Sequence, residues 1–198
     1  MKVGFLGGSF NPIHNGHIKL ALSAKKEFSL DKVLFIPTNI NPIKENKSKV
    51  STMQRLKMVE LAIEEYPFFE IDTYEIDKKG VSYTIDTVSY LKDKYNDLFF
   101  IGGADLVFEI HKWKDYETLL KEVNFIIANR PPYRKEELKE KTDFLNKEYN
   151  AKITLLENFN LIDLSSSEIR KNILKNNSLK IPEKVAQYII ENNLYYND

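Results

Sequence analysis

Cysteine is absent from this 198-residue sequence, which excludes a disulfide framework and the small stapled scaffolds that depend on one. No long apolar run occurs, and charged and glycine residues follow the initiating methionine too closely for a signal-peptide core. The cytoplasm is therefore the expected compartment, and no membrane partner is expected. Neither sign of charge dominates, because 29 Lys and Arg stand against 29 Asp and Glu for a formal net charge of zero. That balance excludes the broad basic field that draws nucleic acid, so any phosphate site has to be local. Internal repeats and low-complexity tracts are also lacking. What remains, with 42% hydrophobic and 12% aromatic residues, is enough to bury a full core in one domain spanning residues 1–198.

The most informative stretch is Gly7-Gly8-Ser9-Phe10-Asn11-Pro12-Ile13-His14-Asn15-Gly16-His17, between the apolar run Val3 to Leu6 and a helical pattern. Strand, glycine loop and helix start in that order expose unpaired N–H groups and a positive dipole end, which suits a phosphate. His14 and His17 lie three apart, so within one helical turn they share a face over the loop. The spacing is neither the dinucleotide fingerprint nor the P-loop. A tight turn made by Gly7 and Gly8 with no ligand is the plain competing reading. A zinc pair is another, but with no cysteine and only His111 besides, further ligands would have to be carboxylates.

The rest of the chain alternates helix and strand patterns. Ile18, Ala21, Leu22 and Phe28 mark an amphipathic helix, and Val33 to Ile36 a strand buried on both faces, ended by Pro37. A polar, proline-broken loop carrying Lys44 follows. Ser51 and Gln54 form a capping box for a helix through about Glu65. Glu70 to Ile76 reads as a strand, and Asp77 to Gly80 as a turn. Ser82 or Thr84 is expected to cap the next helix, which carries Val88, Leu91 and Tyr95. Strands are expected at Leu98 to Ile101, Asn124 to Asn129 and Ile153 to Leu156, with a solvated helix from Glu136 to Glu148. Asp105, beyond a strand's carboxyl end, is placed to accept a ribose hydroxyl or simply to cap a helix. Trp113, flanked by charge, offers a plane for a base or pyridine ring, or is an ordinary half-buried tryptophan. Ser165, Ser166, Glu168 and Arg170 open a helix with hydroxyls, amides and a guanidinium, a phosphate set or a well-capped surface helix. Pro182 starts a last helix through Asn193. The order predicts an α/β, Rossmann-like three-layer fold with a mainly parallel sheet and helices on both faces, the C-terminal helical part, about 165–198, packing on it.

Gly7 to His17 resembles the Gly-Gly-Thr-Phe-Asp-Pro-x-His-x-Gly-His signature of the nucleotidyltransferase superfamily. With Pro42-Ile43-Lys44, Ser82 to Thr87, Gly103-Ala104-Asp105, Lys112-Trp113, Arg130-Pro131 and Ser165 to Arg170, the chain resembles the bacterial nicotinate-nucleotide adenylyltransferase family over nearly its whole length. The resemblance implies adenylyl transfer from ATP to nicotinate mononucleotide, giving nicotinate adenine dinucleotide and pyrophosphate in NAD biosynthesis, with Mg2+ on ATP. It implies catalytic roles for His14, His17, Lys44 and Arg170. ATP would meet Gly7, Gly8, Ser9, Phe10, Gly16, Gly103, Asp105, Arg130, Ser165 and Ser166. The nicotinate nucleotide would meet Tyr83, Thr84, Trp113 and Lys114. Homodimers are common in that family, though no feature here demonstrates one. Ser9 and Asn11 replace the usual threonine and aspartate, and Ile43 the usual histidine before the loop lysine. The alternatives are another nucleotidyltransferase, such as phosphopantetheine adenylyltransferase or a cytidylyltransferase, and a nucleotide-binding module without catalysis. A synthetase-like RNA binder is disfavoured by the neutral charge.

Overall fold

The computed structural model describes residues 1–42, 49–157, 159, 165–172 and 180–196. Strand β1 (Lys2–Gly8) leads to helix α1 (Asn15–Phe28), then β2 (Lys32–Pro37), α2 (Thr52–Ile63) and β3 (Phe69–Ile71). Two shorter helices, α3 (Tyr74–Asp77) and α4 (Thr84–Lys92), precede β4 (Asp97–Gly103) and α5 (Ala104–Glu109). The chain continues through α6 (Tyr116–Glu122), β5 (Asn124–Ala128), α7 (Lys135–Tyr149), β6 (Lys152–Leu155), α8 (Ser166–Asn172) and α9 (Glu183–Glu191).

Among the described residues all six strands are parallel, in the order β3-β2-β1-β4-β5-β6. Because alternate residues of a strand face opposite sides, the continuous apolar runs feed two cores at once. Val33, Phe35, Ile101 and Ile126 face one core, shared with α1, α2 and α9. Phe5, Leu34, Ile36, Phe100 and Phe125 face the other, shared with α4 to α7. Each fully buried Leu, Ile or Phe contributes roughly 1.5–3 kcal/mol relative to exposure. The result is the expected Rossmann-like sandwich, its sheet wholly parallel. The order reverses between β1 and β4, and the crevice beyond their carboxyl ends is where such sheets take ligands.

Several local expectations need correction. Residues 74–77 are helical, not strand, because the Asp72 carboxylate accepts the Tyr74 N–H at 2.9 Å and turns the chain after three strand residues. Neither Ser82 nor Thr84 caps α4. Tyr83 is the N-cap residue without a side-chain bond, and the Ser82 hydroxyl instead accepts the Asn39 N–H at 3.0 Å. Ser51 and Gln54 do form the capping box of α2, which ends at Ile63. Pro182 is the N-cap of α9, which stops at Glu191. Ile43 and Lys44 lie outside the described residues.

Candidate active site

Gly7 and Gly8 do not make a tight turn. Both continue β1, paired in register with Ile36 and Pro37. A Cβ at Gly7 would meet nothing within 4 Å among the described residues beyond its chain neighbours, so the missing side chain bares strand-end backbone to the crevice. The chain reverses two residues later, at Phe10, whose φ of 44° lies in the left-handed region. For a residue with a Cβ that conformation costs on the order of 1–2 kcal/mol. Packing holds it, since the Phe10 ring is buried against Phe35 and meets His17 edge-on at 5.1 Å. Phe10 therefore supports the loop from beneath and offers its backbone.

His14 is the N-cap residue of α1 and His17 lies in its first turn, with the rings stacked at 3.7 Å and 28° apart. The His14 N–H donates to Nδ1 of His17 at 3.2 Å. With Nδ1 accepting, neutral His17 carries its proton on Nε2, the far side of the ring. His14 is buried, its Nδ1 without a hydrogen-bond partner among the described residues. Burial, with a smaller contribution from the Arg130 charge, lowers its pKa to about 4 and keeps it neutral at pH 7. Among the described residues no third His, Asp or Glu joins the pair in a metal-binding group.

These imidazoles line a cleft of about 610 Å³. On the β4 side, Gly103 is the N-cap residue of α5, and Asp105 in its first turn pairs with Arg130 at 2.7 Å. From the other end of the chain, the Arg170 Nη1 donates to the Asn11 carbonyl at 2.7 Å and the Ser166 hydroxyl to that of Pro12 at 3.0 Å. Ser165 caps α8, accepting the Glu168 N–H at 3.2 Å. Arg170 and Ser166 are thus tied to the glycine loop, and they line the cleft as well. Ser9 and Gly16 stand on its wall.

The third wall belongs to Tyr83, Thr84, Trp113 and Lys114. Trp113 is half-buried against Phe100, ring centroids 5.8 Å apart. The Lys114 ammonium stands 4.7 Å from the centre of the Tyr83 ring and 3.5 Å from Asp86, which also pairs with Lys78. Thr84 is the first residue of α4, so free amides face this corner. All the sequence-predicted site residues within the described regions share this cleft; Lys44 lies outside them.

Arg55 was not singled out as a site residue in the sequence. It is 2% exposed, and its guanidinium donates to the carbonyls of Ser9 (2.6 Å), Thr38 (2.7 Å) and Asn39 (3.2 Å). It fastens the loop after β1 to the loop after β2. The available signal was an arginine on the same α2 stripe as Val59 and Ala62, where an apolar residue belongs.

Residues 5–172 match the family model described as cytidylyltransferase-like. The chain is 37% identical over 196 residues to a probable nicotinate-nucleotide adenylyltransferase of Clostridium botulinum (strain Alaska E43 / Type E3), covering 98% of each chain. It is 40% identical over 199 residues to the protein of that name from Moorella thermoacetica, covering 98% of this chain and 91% of the relative. A similar fold occurs in Plasmodium falciparum nicotinic acid mononucleotide adenylyltransferase complexed with NaAD, at a TM-score of 0.80 and 22% identity, covering 100% of this chain and 98% of the other.

Proposed function

Since the chain belongs to the nicotinate-nucleotide adenylyltransferase family within the cytidylyltransferase-like proteins, we propose an assignment of its cleft to that family's reaction. The enzyme transfers the adenylyl group of ATP to nicotinate mononucleotide, giving nicotinate adenine dinucleotide and pyrophosphate in NAD biosynthesis. An oxygen of the acceptor's 5′-phosphate attacks the α-phosphorus of ATP in line. The bond from that phosphorus to the oxygen bridging it to the β-phosphorus breaks, and pyrophosphate carries the electron pair away. A phosphate monoester is already a competent nucleophile near pH 7, so the protein's work is to align two anions and offset developing charge.

The observation that carries this assignment is the stacked imidazole pair above bare strand-end backbone, at the crevice where the sheet order reverses. Nε2–H of His17 is the donor to the transferring phosphate. Neutral His14 orients it from behind through its own backbone N–H. Arg170, with Lys44, serves the β- and γ-phosphates. Asp105 takes the ATP ribose, and Arg130, Ser165 and Ser166 complete the ATP side. Tyr83, Thr84, Trp113 and Lys114 form the acceptor side, where the nicotinate carboxylate meets the amides near Thr84 and Trp113. An amide NH₂ there would set donor against donor, which selects for the acid. Residues 1–198 act as one nucleotidyltransferase domain, with the C-terminal helical part, about 165–198, packed on it.

Magnesium would enter on ATP, neutralising phosphate charge while keeping most of its waters. Among the described residues no three His, Asp or Glu side chains gather into a ligand set; the ion would be held by the triphosphate it arrives on. The deciding experiment offers ATP and magnesium with nicotinate mononucleotide, nicotinamide mononucleotide or phosphopantetheine and measures pyrophosphate. Release with the nicotinate acceptor alone is expected. Release only with another acceptor would overturn the acceptor pocket, and ATP binding without release would indicate a non-catalytic module.

A further inference from the structure

Glu75 is a carboxyl buried at the cleft with 6% of its surface exposed, an uncommon place for an acid. It lies in the short helix α3, outside every motif that carries the family resemblance. The Thr87 hydroxyl donates to its Oε1 at 2.7 Å in a buried contact, while Oε2 has no hydrogen-bond partner among the described residues. Burial raises its pKa, opposed first by the Thr87 hydroxyl, then by that of Ser82 and by the charge of Lys78; the Asp72 carboxylate adds to the rise.

Thr87 and Ser82 are the two ends of the segment that carries Tyr83 and Thr84. Thr87 is in the first turn of α4, and its hydroxyl also lies 3.5 Å from the Tyr83 carbonyl. Ser82 is held from the other side, with its N–H donating to the Ile40 carbonyl at 2.9 Å and its Oγ accepting from Asn39 at 3.0 Å. With that lone pair engaged, the Ser82 hydroxyl proton is left to turn toward the carboxyl.

We propose that Glu75 is the positioning residue of the acceptor pocket, its buried carboxyl holding Ser82 and Thr87 so that Tyr83 and Thr84 face the pyridine carboxylate. The inference rests on the assignment of Tyr83, Thr84 and Trp113 to the acceptor. Thr87 already donates to Oε1 and the Ser82 hydroxyl proton turns to the partnerless Oε2, so both oxygens must accept, which a carboxylate's do and an amide's nitrogen does not. Glutamine would fit the space yet turn an NH₂ toward one donor. The cost falls on the α4 corner, apart from the Asp105–Arg130 pair on the β4 side of the cleft.

The test is steady-state kinetics of Glu75→Gln, Thr87→Val and Thr87→Ser beside the wild type, with both pyridine nucleotides and ATP varied. For Glu75→Gln and Thr87→Val the KM of nicotinate mononucleotide rises about fivefold or more, the KM of ATP stays within about twofold, and preference for the acid over the amide falls. Thr87→Ser, which keeps the donor, restores wild-type values. The double variant Glu75→Gln/Thr87→Val is no worse than the weaker single one, as for two ends of one contact. If Glu75→Gln fails to fold, the contrast between Thr87→Val and Thr87→Ser decides alone. Equal rises in both KM values, or an unchanged acceptor KM in folded variants, overturn the proposal. A wild type that ignores nicotinate mononucleotide overturns the function and this inference with it. A wild type that uses it, with Trp113→Ala raising the acceptor KM and the Glu75 and Thr87 variants silent, overturns this inference alone.

Discussion

Arg130 Nη2 meets Asp105 Oδ2 at 2.7 Å, joining the carboxyl ends of β4 and β5 across the mouth of the cleft. Gly103 sits directly beneath this pair. A Cβ there would lie 2.8 Å from Asp105 Oδ1 and 3.1 Å from Arg130 Nε, while the backbone φ of −95° suits any residue. Gly103→Ala should therefore fold normally but displace both side chains. The expected result is a KM for ATP raised about tenfold with the acceptor KM little changed, read from initial rates of pyrophosphate release.

His14 couples stability to pH. Its pKa is lowered from 6.5 to about 4 in the folded state, chiefly by burial and then by Arg130. The unfolded chain then binds the extra proton first. Its contribution is complete above about pH 6.5 and is lost as pH falls toward 4, amounting to about 3 kcal/mol at most. Urea denaturation midpoints measured from pH 4 to 8 should decline below pH 6.5 in the wild type, and that decline should be shallower in His14→Gln.

His17→Ala removes the donor assigned to the transferring phosphate. Turnover should fall on the order of 10²-fold or more, with substrate KM values within a few-fold and an unchanged far-ultraviolet circular dichroism spectrum. Full turnover in a folded variant would take His17 out of the mechanism.

The Tyr195 hydroxyl donates to Asn11 Oδ1 at 2.7 Å, a buried contact between residues 184 positions apart. Asn11 stands where the related signature has aspartate, and its amide oxygen still accepts the phenol. Tyr195→Phe leaves that oxygen without this donor and should cost about 1–3 kcal/mol, seen as a lower denaturation midpoint at unchanged slope.

Much of this was legible in the sequence because the signals were local. Val33 to Ile36 reads as a doubly buried strand from its own four residues, and Ser51 with Gln54 writes its capping box three residues apart. The helix starts after the glycine loop and at Ser165 to Arg170 were local patterns as well. What was hidden depended on distant partners. Ser82 looks like a helix cap until Asn39, 43 positions earlier, is seen to claim its hydroxyl. Arg55 is only an arginine on an apolar stripe until its three carbonyl partners converge from two separate loops. The segment after Ile71 alternates like a strand, but one Asp72 side-chain bond outweighs so short a pattern. Helices α5 and α6, of six and seven residues, are too brief to show a period.

The loop at Asn11 and Pro12 receives bonds from Ser166, Arg170 and Tyr195, so the order of synthesis and the order of completion run opposite ways. A growing chain makes its histidine loop almost first, yet that loop gains its last clasp only when residue 195 has left the ribosome. A chain cut short before that point keeps every histidine and glycine of the motif and lacks the tie that sets them.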